Sequence, residues 1–258
     1  MIIELNGGLG NQLFIYSFAL HISKESNSLV LSNVLFNRQN RSNKLSELGL
    51  EAFDYEKWPR VKLVYYKYLK RSKFILQNGR SYSPVTYYGG YYRGYWQWPG
   101  LIDKSLKAKI NLASEKYIFK TDIKDLTNTV AIHMRFTDYV ESSIHASCSM
   151  NYYKNGLNEL SKIKKFNRIL VVSDDQNMAR QAVSGWAGFE IIFSREESDI
   201  GDFFLLTKCK FHVISNSTFA WWAAFCAQSG GKTIIPRYWW SNDEYNPFAI
   251  KGFKIIEN

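Results

Sequence analysis

Short apolar runs alternate with amphipathic stretches through the second half of the chain, a pattern typical of a parallel α/β sheet. The runs predict strands at residues 130–136, 168–173, 190–194, 211–215 and 232–236. The amphipathic stretches predict helices at residues 152–165, 199–208 and 217–228, with a further helix after residue 175. Because the two kinds of element alternate, the pattern predicts an α/β fold with a doubly wound parallel sheet.

The N-terminus shows the same alternation. A predicted strand at residues 2–5 leads into a glycine loop at 6–10, a helix at 11–24 and a returning strand at 29–31. The helix is apolar on nearly every side, so we expect it to be buried. Residues 113–128 are polar and lack clear periodicity. We therefore place a domain boundary in this stretch and expect domains of residues 1–120 and 121–258.

The glycine loop does not match either common nucleotide-binding motif. Gly8 and Gly10 supply two glycines, but Leu13 occupies the third position of the dinucleotide fingerprint, and no Gly-Lys-Ser/Thr follows. Glycines before a helix still allow backbone N–H groups to approach a ligand closely. A tight turn between strand and helix is the structural alternative.

The charge balance favours an anionic partner. The net charge is +10, from 33 Lys and Arg against 23 Asp and Glu, which suits nucleic acid, an acidic membrane surface or a nucleotide. Residues 58–76 mix aromatic with basic residues, as do lipid-binding helices, nucleic-acid faces and partly buried helices. No signal peptide or membrane-spanning apolar window is visible. We expect a cytoplasmic protein, and peripheral contact with an acidic inner membrane stays open.

Neither the cysteines nor the carboxylates form a pattern that predicts a metal site. Cys148, Cys209 and Cys226 lack a CxxC spacing, and Cys226 lies in an apolar helical stretch that suggests a core position. No Asp-x-Asp motif occurs. Asp199 and Asp202 are expected in a first helical turn, where acidic residues are favoured anyway. We therefore predict that the protein needs neither a metal nor a cofactor.

Polar side chains follow three of the predicted strands, at the point where each strand ends. Ligands of open parallel sheets bind beyond the carboxyl ends of the strands, so we expect these residues to share one crevice. They are His133, Arg135 and Asp138 after the first strand, Ser173, Asp174 and Asp175 after the second, and Asn216, Ser217, Thr218 and Phe219 after the third.

Arg135 is well suited to a phosphate, because its guanidinium is a planar fork that stays charged. A salt bridge with Asp138 is the structural alternative. The hydroxyls of Ser217 and Thr218, with the N–H groups of the helix they open, also suit a phosphate, and plain helix capping by Ser217 is compatible with that role. Asp174 suits the donor groups of guanine or the hydroxyls of ribose, with helix capping as its alternative.

Taken together, these residues resemble the bacterial α-1,2-fucosyltransferases of the inverting glycosyltransferase family 11. Each shared stretch is short, but their common order through most of the chain makes the resemblance specific. The stretches are Gly7-Gly-Leu-Gly-Asn-Gln12, Gly94-Tyr-Trp-Gln97, His133-Met-Arg135 with Asp138-Tyr139, Tyr152-Tyr153, Ser173-Asp-Asp175, Asn216-Ser-Thr-Phe-Ala-Trp-Trp222, and Pro236 with Trp239-Trp240.

The resemblance implies a GT-B-type fold, in which two Rossmann-like domains enclose a cleft. It also implies GDP-fucose as the donor, no metal requirement, contact of Arg135 with the donor diphosphate, and a place for Asn11 near the reacting centre. The expected acceptor is a galactose-containing glycan, which is lipid-linked in members that build O-antigen or capsule, and nucleic acid is not an expected partner. The donor-binding residues expected on this basis are Gly8, Gly10, Gln12, Asp174, Asp175, Asn216, Ser217, Thr218 and Phe219.

The reaction expected from this resemblance is transfer of L-fucose from GDP-β-L-fucose to the 2-hydroxyl of a galactoside, with inversion. The N-terminal domain would hold the acceptor and the C-terminal domain the nucleotide. Asp138 is the candidate general base and Glu141 the second candidate. Either would have to lie within hydrogen-bond reach of the sugar hydroxyl. His133 is expected to orient the site.

Position 136 departs from the family pattern. Family members usually have two consecutive arginines there, and this chain has Phe136 after Arg135. One contact with the diphosphate or the fucose is therefore in doubt, and so is the choice of donor sugar. Two alternatives stay open: a GT-B transferase that uses another nucleotide sugar, and a non-catalytic protein that binds nucleotide or nucleic acid.

Overall fold

The computed structural model describes residues 2–23, 30–32, 42–50, 54–56, 64–70, 74–76, 90–122, 126, 128–136, 148–227, 231–241 and 246–258. The chain divides into two compact units, Met1–Ala113 and Ser114–Asn258. The assignment of acceptor and nucleotide sugar to domains of residues 1–120 and 121–258 stays a prediction. Asp138 and Glu141, the two candidate bases, lie outside the described residues.

The first unit contains a parallel sheet of five short strands. These are β1 (Ile2–Glu4), β2 (Val30–Ser32), β3 (Asp54–Glu56), β4 (Phe74–Leu76) and β5 (Tyr91–Arg93), in the spatial order β3-β2-β1-β5-β4. Helix α1 (Leu9–Ser23) follows β1 and is buried along most of its length, as its apolar sequence predicted. Helix α2 (Ser105–Glu115) contains the division between the units.

The glycine loop is shorter than expected. Helix α1 begins at Leu9 rather than Asn11, so Gly10 lies inside the helix and only Gly7 and Gly8 precede it. Gly8 supplies the carbonyl oxygen that accepts from the Gln12 N–H at 3.0 Å. Gly7 has a φ of +76°, which requires glycine at the sharp turn from strand to helix.

The second unit contains a parallel sheet of six strands, in the order β11-β10-β9-β6-β7-β8. Its strands are β6 (Thr129–Met134), β7 (Arg168–Ser173), β8 (Glu190–Phe193), β9 (Phe211–Ile214), β10 (Lys232–Pro236) and β11 (Phe253–Ile256). Its helices are α3 (Met150–Ser161), α4 (Gln176–Val183), α5 (Asp199–Thr207) and α6 (Thr218–Cys226). The predicted alternation of strand and helix is confirmed, with β11 as an additional strand.

Strand β6 organises the second unit, because all six of its residues are buried. Side chains alternate across a strand, and Val130, Ile132 and Met134 pack in one apolar core with Leu157 of α3. Helix α6 is also buried, and Cys226 has no exposed surface, which confirms its predicted core position. The sheet is therefore covered by helices, as buried parallel strands require.

A buried carboxylate fixes the start of the second unit. Glu196 accepts hydrogen bonds from the N–H groups of Lys120 and Thr121 at 3.0 and 2.9 Å and from the Thr121 hydroxyl at 2.9 Å. The Tyr117 hydroxyl donates to the same side chain at 3.2 Å. The backbone N–H groups of Lys120 and Thr121, within the polar stretch, thus find their partner in a side chain distant in sequence.

His212 gives the fold a pH dependence. Its Nε2 lies 2.9 Å from the Leu206 carbonyl oxygen, and burial lowers the pKa of the imidazole from 6.5 to about 4. The unfolded chain takes up a proton as the pH falls through 6.5, whereas the folded chain stays neutral until about pH 4. Stability is therefore lost as the pH falls through this window, and the loss from this one group at pH 5 is about 2 kcal/mol.

When the pH falls from 7.5 to 5, the free energy of unfolding should drop by about 2 kcal/mol less in His212→Gln than in the wild type. Urea denaturation at both pH values measures the difference. The lowered pKa of His133 and the raised pKa of Asp202 act equally in both proteins and cancel in this comparison. Equal losses in the two proteins would contradict the assignment.

Candidate active site

The carboxyl ends of β6, β7 and β9 lie side by side in the second unit. Strand β6 is flanked by β7 and β9, with Met134 opposite Ser173 and His133 opposite Ile214. The residues that follow these strands therefore meet at one edge of the sheet, as the sequence predicted. In open parallel sheets this edge is where ligands bind.

His133 is a buried organising residue at this edge. Its Nδ1 lies 2.9 Å from the Ser215 hydroxyl, and its carbonyl oxygen accepts from the Ser215 N–H at 3.1 Å. The ring also contacts that of Phe219, with centroids 5.7 Å apart. Burial, with the nearby Arg135 cation, lowers the pKa of His133 to about 4. A neutral imidazole held in this way positions the turn after β9, and its expected role in orienting the site stays a prediction.

Arg135 is partly exposed and lies beside Asp174. The arginine Nε lies 3.9 Å from Asp174 Oδ2, and the other carboxylate oxygen accepts from the Phe136 N–H at 2.9 Å. Through its bond to the Phe136 N–H, Asp174 joins the ends of β6 and β7. A guanidinium has five N–H groups in a planar fork, which suits two parallel hydrogen bonds to a phosphate. Asp174 is an acidic neighbour of Arg135 among the described residues, whereas Asp138, the partner that the sequence suggested, lies outside them.

The turn before α6 contains a buried hydroxyl that is not used for capping. The Ser217 side chain is 1% exposed, and its Oγ makes no hydrogen bond to any of the described residues. Ser217 occupies the N-cap position of α6, yet its side chain accepts no bond from the helix. Leaving a buried hydroxyl unpaired costs about 1–3 kcal/mol, so such a group is a candidate for binding a ligand.

The neighbours of Ser217 have different roles. Asn216 is buried and donates through Nδ2 to the Trp239 carbonyl oxygen at 2.8 Å, which fixes the turn. Thr218 is the first residue of α6, and Phe219 packs between the rings of His133 and Phe203. Asn216 and Phe219 therefore support the turn, and a direct donor contact from them stays a prediction.

Asp175 serves as a helix cap. Its carboxylate accepts from the Met178 N–H at 2.9 Å at the start of α4, and its own N–H donates to Ser173 Oγ at 3.1 Å. These bonds account for an acidic residue at this position without a ligand. The donor-binding role predicted for Asp175 stays a prediction beside this capping bond.

The residues predicted in the first unit lie at the carboxyl end of β1. The Gln12 side chain is buried, and its amide donates to the carbonyl oxygens of Gly7 and Ser42 at 3.1 and 2.9 Å. Its Oε1 accepts from the Lys44 N–H at 3.1 Å. Gln12 thus holds the loop together, and the donor-binding role predicted for it stays a prediction. Asn11 is partly exposed and accepts a hydrogen bond from Gln97 at 2.8 Å.

Sequence reasoning gave no role in the site to Ser215, Trp239 or Cys148, which lie around the turn before α6. Ser215 could have been found, because it is the first residue after β9. The Cys148 thiol lies 4.0 Å from Asn216 Oδ1, and burial raises its pKa to about 12. A thiol with so high a pKa is not a nucleophile at neutral pH.

Two further observations concern only the part of the chain that the structure describes. Within it, no three His, Cys, Asp or Glu side chains are grouped so as to hold a metal ion. Nor does any helix there combine the length and apolar character needed to cross a bilayer.

Comparison with known sequences identifies relatives of this chain. The profile described as Glycosyl transferase family 11 matches residues 66–254. The O-antigen biosynthesis glycosyltransferase WbnK of Escherichia coli is 27% identical over 150 residues, which are 56% of this chain and 50% of that relative. The match thus spans half the length of WbnK. An alpha-1,2-colitosyltransferase of Escherichia coli is 26% identical, over 96% of this chain and 95% of its own.

Comparison with solved structures identifies the fold. A glycosyl transferase family 9 protein from Veillonella parvula DSM 2008 has a TM-score of 0.54 at 8% identity, covering 99% of this chain and 86% of its own. The Escherichia coli heptosyltransferase WaaC, solved with ADP-2-deoxy-2-fluoro heptose, has a TM-score of 0.50 at 11% identity, covering 99% and 92%. At such low identity the similarity concerns the fold alone, and it confirms the expected GT-B type.

Proposed function

The chain belongs to glycosyltransferase family 11 and is a glycosyltransferase, and from this premise we propose that it transfers L-fucose from GDP-β-L-fucose to the 2-hydroxyl of a galactoside. One relative is named for O-antigen biosynthesis and another for α-1,2-colitosyl transfer. We therefore place the reaction in the synthesis of a surface polysaccharide, on a galactose-containing and lipid-linked acceptor.

The observation that carries this proposal is the buried Ser217 hydroxyl at the start of α6, next to the strand end that carries Arg135. A helix N-terminus has N–H groups and a partial positive charge that suit a phosphate. A guanidinium on the neighbouring strand end supplies a full charge and two parallel donors. In this proposal both bind the donor diphosphate.

The proposed reaction is a single displacement at the anomeric carbon. The acceptor oxygen forms a bond to that carbon while the bond to the diphosphate oxygen breaks, which inverts the configuration. A base removes the acceptor proton, and GDP leaves with the bonding electron pair. Arg135 and the N–H groups of α6 stabilise the charge that develops on the leaving group. Asp138 is the proposed base and Glu141 the second candidate.

A second donor is favoured by the residue after Arg135. Phe136 stands where the family usually has an arginine, and its side chain packs against the apolar core of the unit. The relative matched over nearly its full length is a colitosyltransferase by name. The alternative function is therefore transfer of another GDP-linked sugar, such as colitose, to the same kind of acceptor.

A turnover assay distinguishes these functions. Purified protein is incubated with GDP-fucose, GDP-colitose, GDP-mannose or a UDP-sugar, together with a panel of galactosides and with or without EDTA. The proposal expects one fucosylated product, the same rate in EDTA, and little product from the other donors. Product from GDP-colitose alone would establish the alternative, and loss of activity in EDTA would overturn the metal-independent reaction.

Peripheral contact with an acidic membrane is part of the proposal. Tyr68 and Leu69 are 67% and 76% exposed and lie next to Lys70 in a short helical segment, within the basic and aromatic stretch described above. Aromatic and apolar side chains beside lysines suit the interface of an anionic bilayer. Flotation with phosphatidylglycerol vesicles at low and high salt checks this contact, and equal binding to neutral vesicles would contradict it.

We expect Ser217→Ala to raise the KM for the nucleotide sugar by about 10- to 100-fold, because a hydrogen bond to a charged group contributes about 1.5–3 kcal/mol. Stability should hold or rise slightly, since the variant removes a hydroxyl with no protein partner among the described residues. Donor KM and urea denaturation measure the two effects.

Ser198→Ala is the matched control, because Ser198 caps α5 through the Gly201 N–H at 3.1 Å. This variant should lose about 1 kcal/mol of stability with its donor KM unchanged. A stability loss in Ser217→Ala equal to that of Ser198→Ala, without a change in KM, would show that Ser217 is an ordinary helix cap.

A further inference from the structure

We propose that the carboxyl edge of the first sheet binds the acceptor sugar through Asn11 and Tyr95, and that Gln97 is a positioning residue for Asn11. This inference rests on the proposed function, because only a glycan acceptor calls for such a surface. The ligand class is a neutral, hydroxyl-rich sugar. Amide groups match its hydroxyls, and an aromatic ring can pack on its apolar face.

The topology places these residues together. Strands β1 and β5 are parallel neighbours, with Ile2 opposite Tyr91 and Ile3 opposite Tyr92. The turn into α1 follows β1, and residues 94–97 follow β5, so both segments emerge at the same edge of the sheet. This is the edge where parallel sheets bind their ligands.

The backbone after β5 is held in an unusual conformation. Trp96 has a φ of +51°, which is unfavourable for a bulky side chain and which no other non-glycine residue among the described ones shares. Its side chain is 1% exposed and stacks on Phe18 at 4.0 Å, with the ring planes 4° apart. The Trp98 N–H donates to the Trp96 carbonyl oxygen at 2.8 Å and tightens the turn. Strained turns of this kind concentrate at functional sites.

The buried Trp96 separates two side chains that reach the surface. Tyr95 is 40% exposed, and Gln97 is partly exposed. The Gln97 amide donates to Asn11 Oδ1 at 2.8 Å, across 86 positions of the sequence. Because this bond engages the carbonyl side of the Asn11 amide, it fixes which way the Asn11 N–H groups point.

Gly7 leaves the space in which the side chains of Asn11 and Tyr95 meet. A Cβ at this position would lie 2.9 Å from Asn11 Nδ2 and 3.1 Å from Tyr95 Cε1. Glycine is thus required here by space as well as by its φ of +76°. Asn11 and Tyr95 converge over a backbone that has no side chain, with Gln97 holding the amide from the other side. The result is a small polar and aromatic surface with its groups in fixed directions.

The test uses Gln97→Glu, which keeps the size of the side chain but replaces the group that donates to Asn11 by one that can only accept. A carboxylate cannot donate to Asn11 Oδ1, so the Asn11 amide has to turn over and present the wrong groups to a sugar. The full-length protein is titrated with methyl β-D-galactoside and with lactose by NMR, and separately with GDP. Acceptor KM and kcat are measured in parallel with GDP-fucose.

We expect Gln97→Glu and Tyr95→Ala each to weaken galactoside binding and raise the acceptor KM about tenfold, with GDP affinity and Tm unchanged. The ratio of Gln97→Glu activity to wild-type activity should rise as the pH falls toward the ordinary glutamate pKa of ~4.3, because a protonated carboxyl can donate again. A merely structural bond would give no such pH profile. Gln181→Glu, which adds the same charge at an exposed position of α4, is the matched control and should behave as the wild type.

Two outcomes would overturn the inference. One is unchanged galactoside binding and acceptor KM in both variants, and the other is failure of the wild type to bind either sugar. Failure of the proposed function looks different. A wild type that binds galactosides, loses this binding in the variants and yet transfers no sugar from any GDP donor would retain the site and reject the reaction.

Discussion

Replacing Arg135 by alanine is expected to lower kcat/KM for the nucleotide sugar by about 100- to 1000-fold while the protein stays folded. A hydrogen-bond donor placed where negative charge develops commonly stabilises the transition state by about 3–4 kcal/mol, which corresponds to this loss. Arg135 is partly exposed and its pairing with Asp174 is long, at 3.9 Å, so its removal costs little stability. Initial rates with GDP-fucose and a galactoside, together with circular dichroism melting, measure both quantities.

Two further substitutions sharpen this experiment. Arg135→Lys keeps the charge but loses the planar fork, so we expect an intermediate rate. Arg237→Ala removes an exposed arginine paired with Glu257 in the same unit and should leave the rate unchanged. Near-normal kcat/KM in folded Arg135→Ala would remove the main electrostatic element of the proposed mechanism.

Substituting Gly231 by alanine is expected to cost the protein about 3 kcal/mol or more of stability. A Cβ at this position would lie 1.6 Å from the carbonyl oxygen of Lys210 and 2.5 Å from its carbonyl carbon. Gly231 and Lys210 directly precede β10 and β9, which pair with Lys232 opposite Phe211. Both contacts are with backbone, so the overlap can be relieved only by separating two neighbouring strands. Overpacking that moves a backbone destabilises by about 1–3 kcal/mol and occasionally more.

Gly185→Ala is the matched control, because a Cβ there meets no atom within 4 Å. Urea denaturation of both variants and the wild type compares the two sites in the same unit. Equal stabilities for the two variants would mean that the start of β10 adapts without cost.

The sheet edge of the candidate site could be predicted because three strands of the second unit end in a sharp change from apolar to polar residues. The side-chain roles at that edge could not be predicted. Asp174 and Asp175 are adjacent in sequence, and only the structure shows that the first joins two strand ends while the second caps a helix. That difference depends on side-chain direction, which tertiary packing decides.

The first unit shows a second limit of sequence reasoning. Gln12 was expected to bind the donor because of the resemblance, and the structure adds that its partners include the backbone of Ser42 and Lys44. The Gln97 contact with Asn11 likewise joins residues far apart along the chain. Periodicity and local propensity contain no information about such partners, since these depend on which loops meet when the sheet assembles.

The pairing of β6 with a strand far along the chain also affects how the protein folds during its synthesis. One edge of this central strand is completed only by β9, with Val130 opposite Phe211, about eighty residues later. A ribosome adds ~5–20 residues/s, so the nascent chain carries an uncovered apolar strand for roughly 4–16 s. Such an edge invites association with other chains during that interval. The yield of native protein in cells should therefore follow the supply of chaperones during translation.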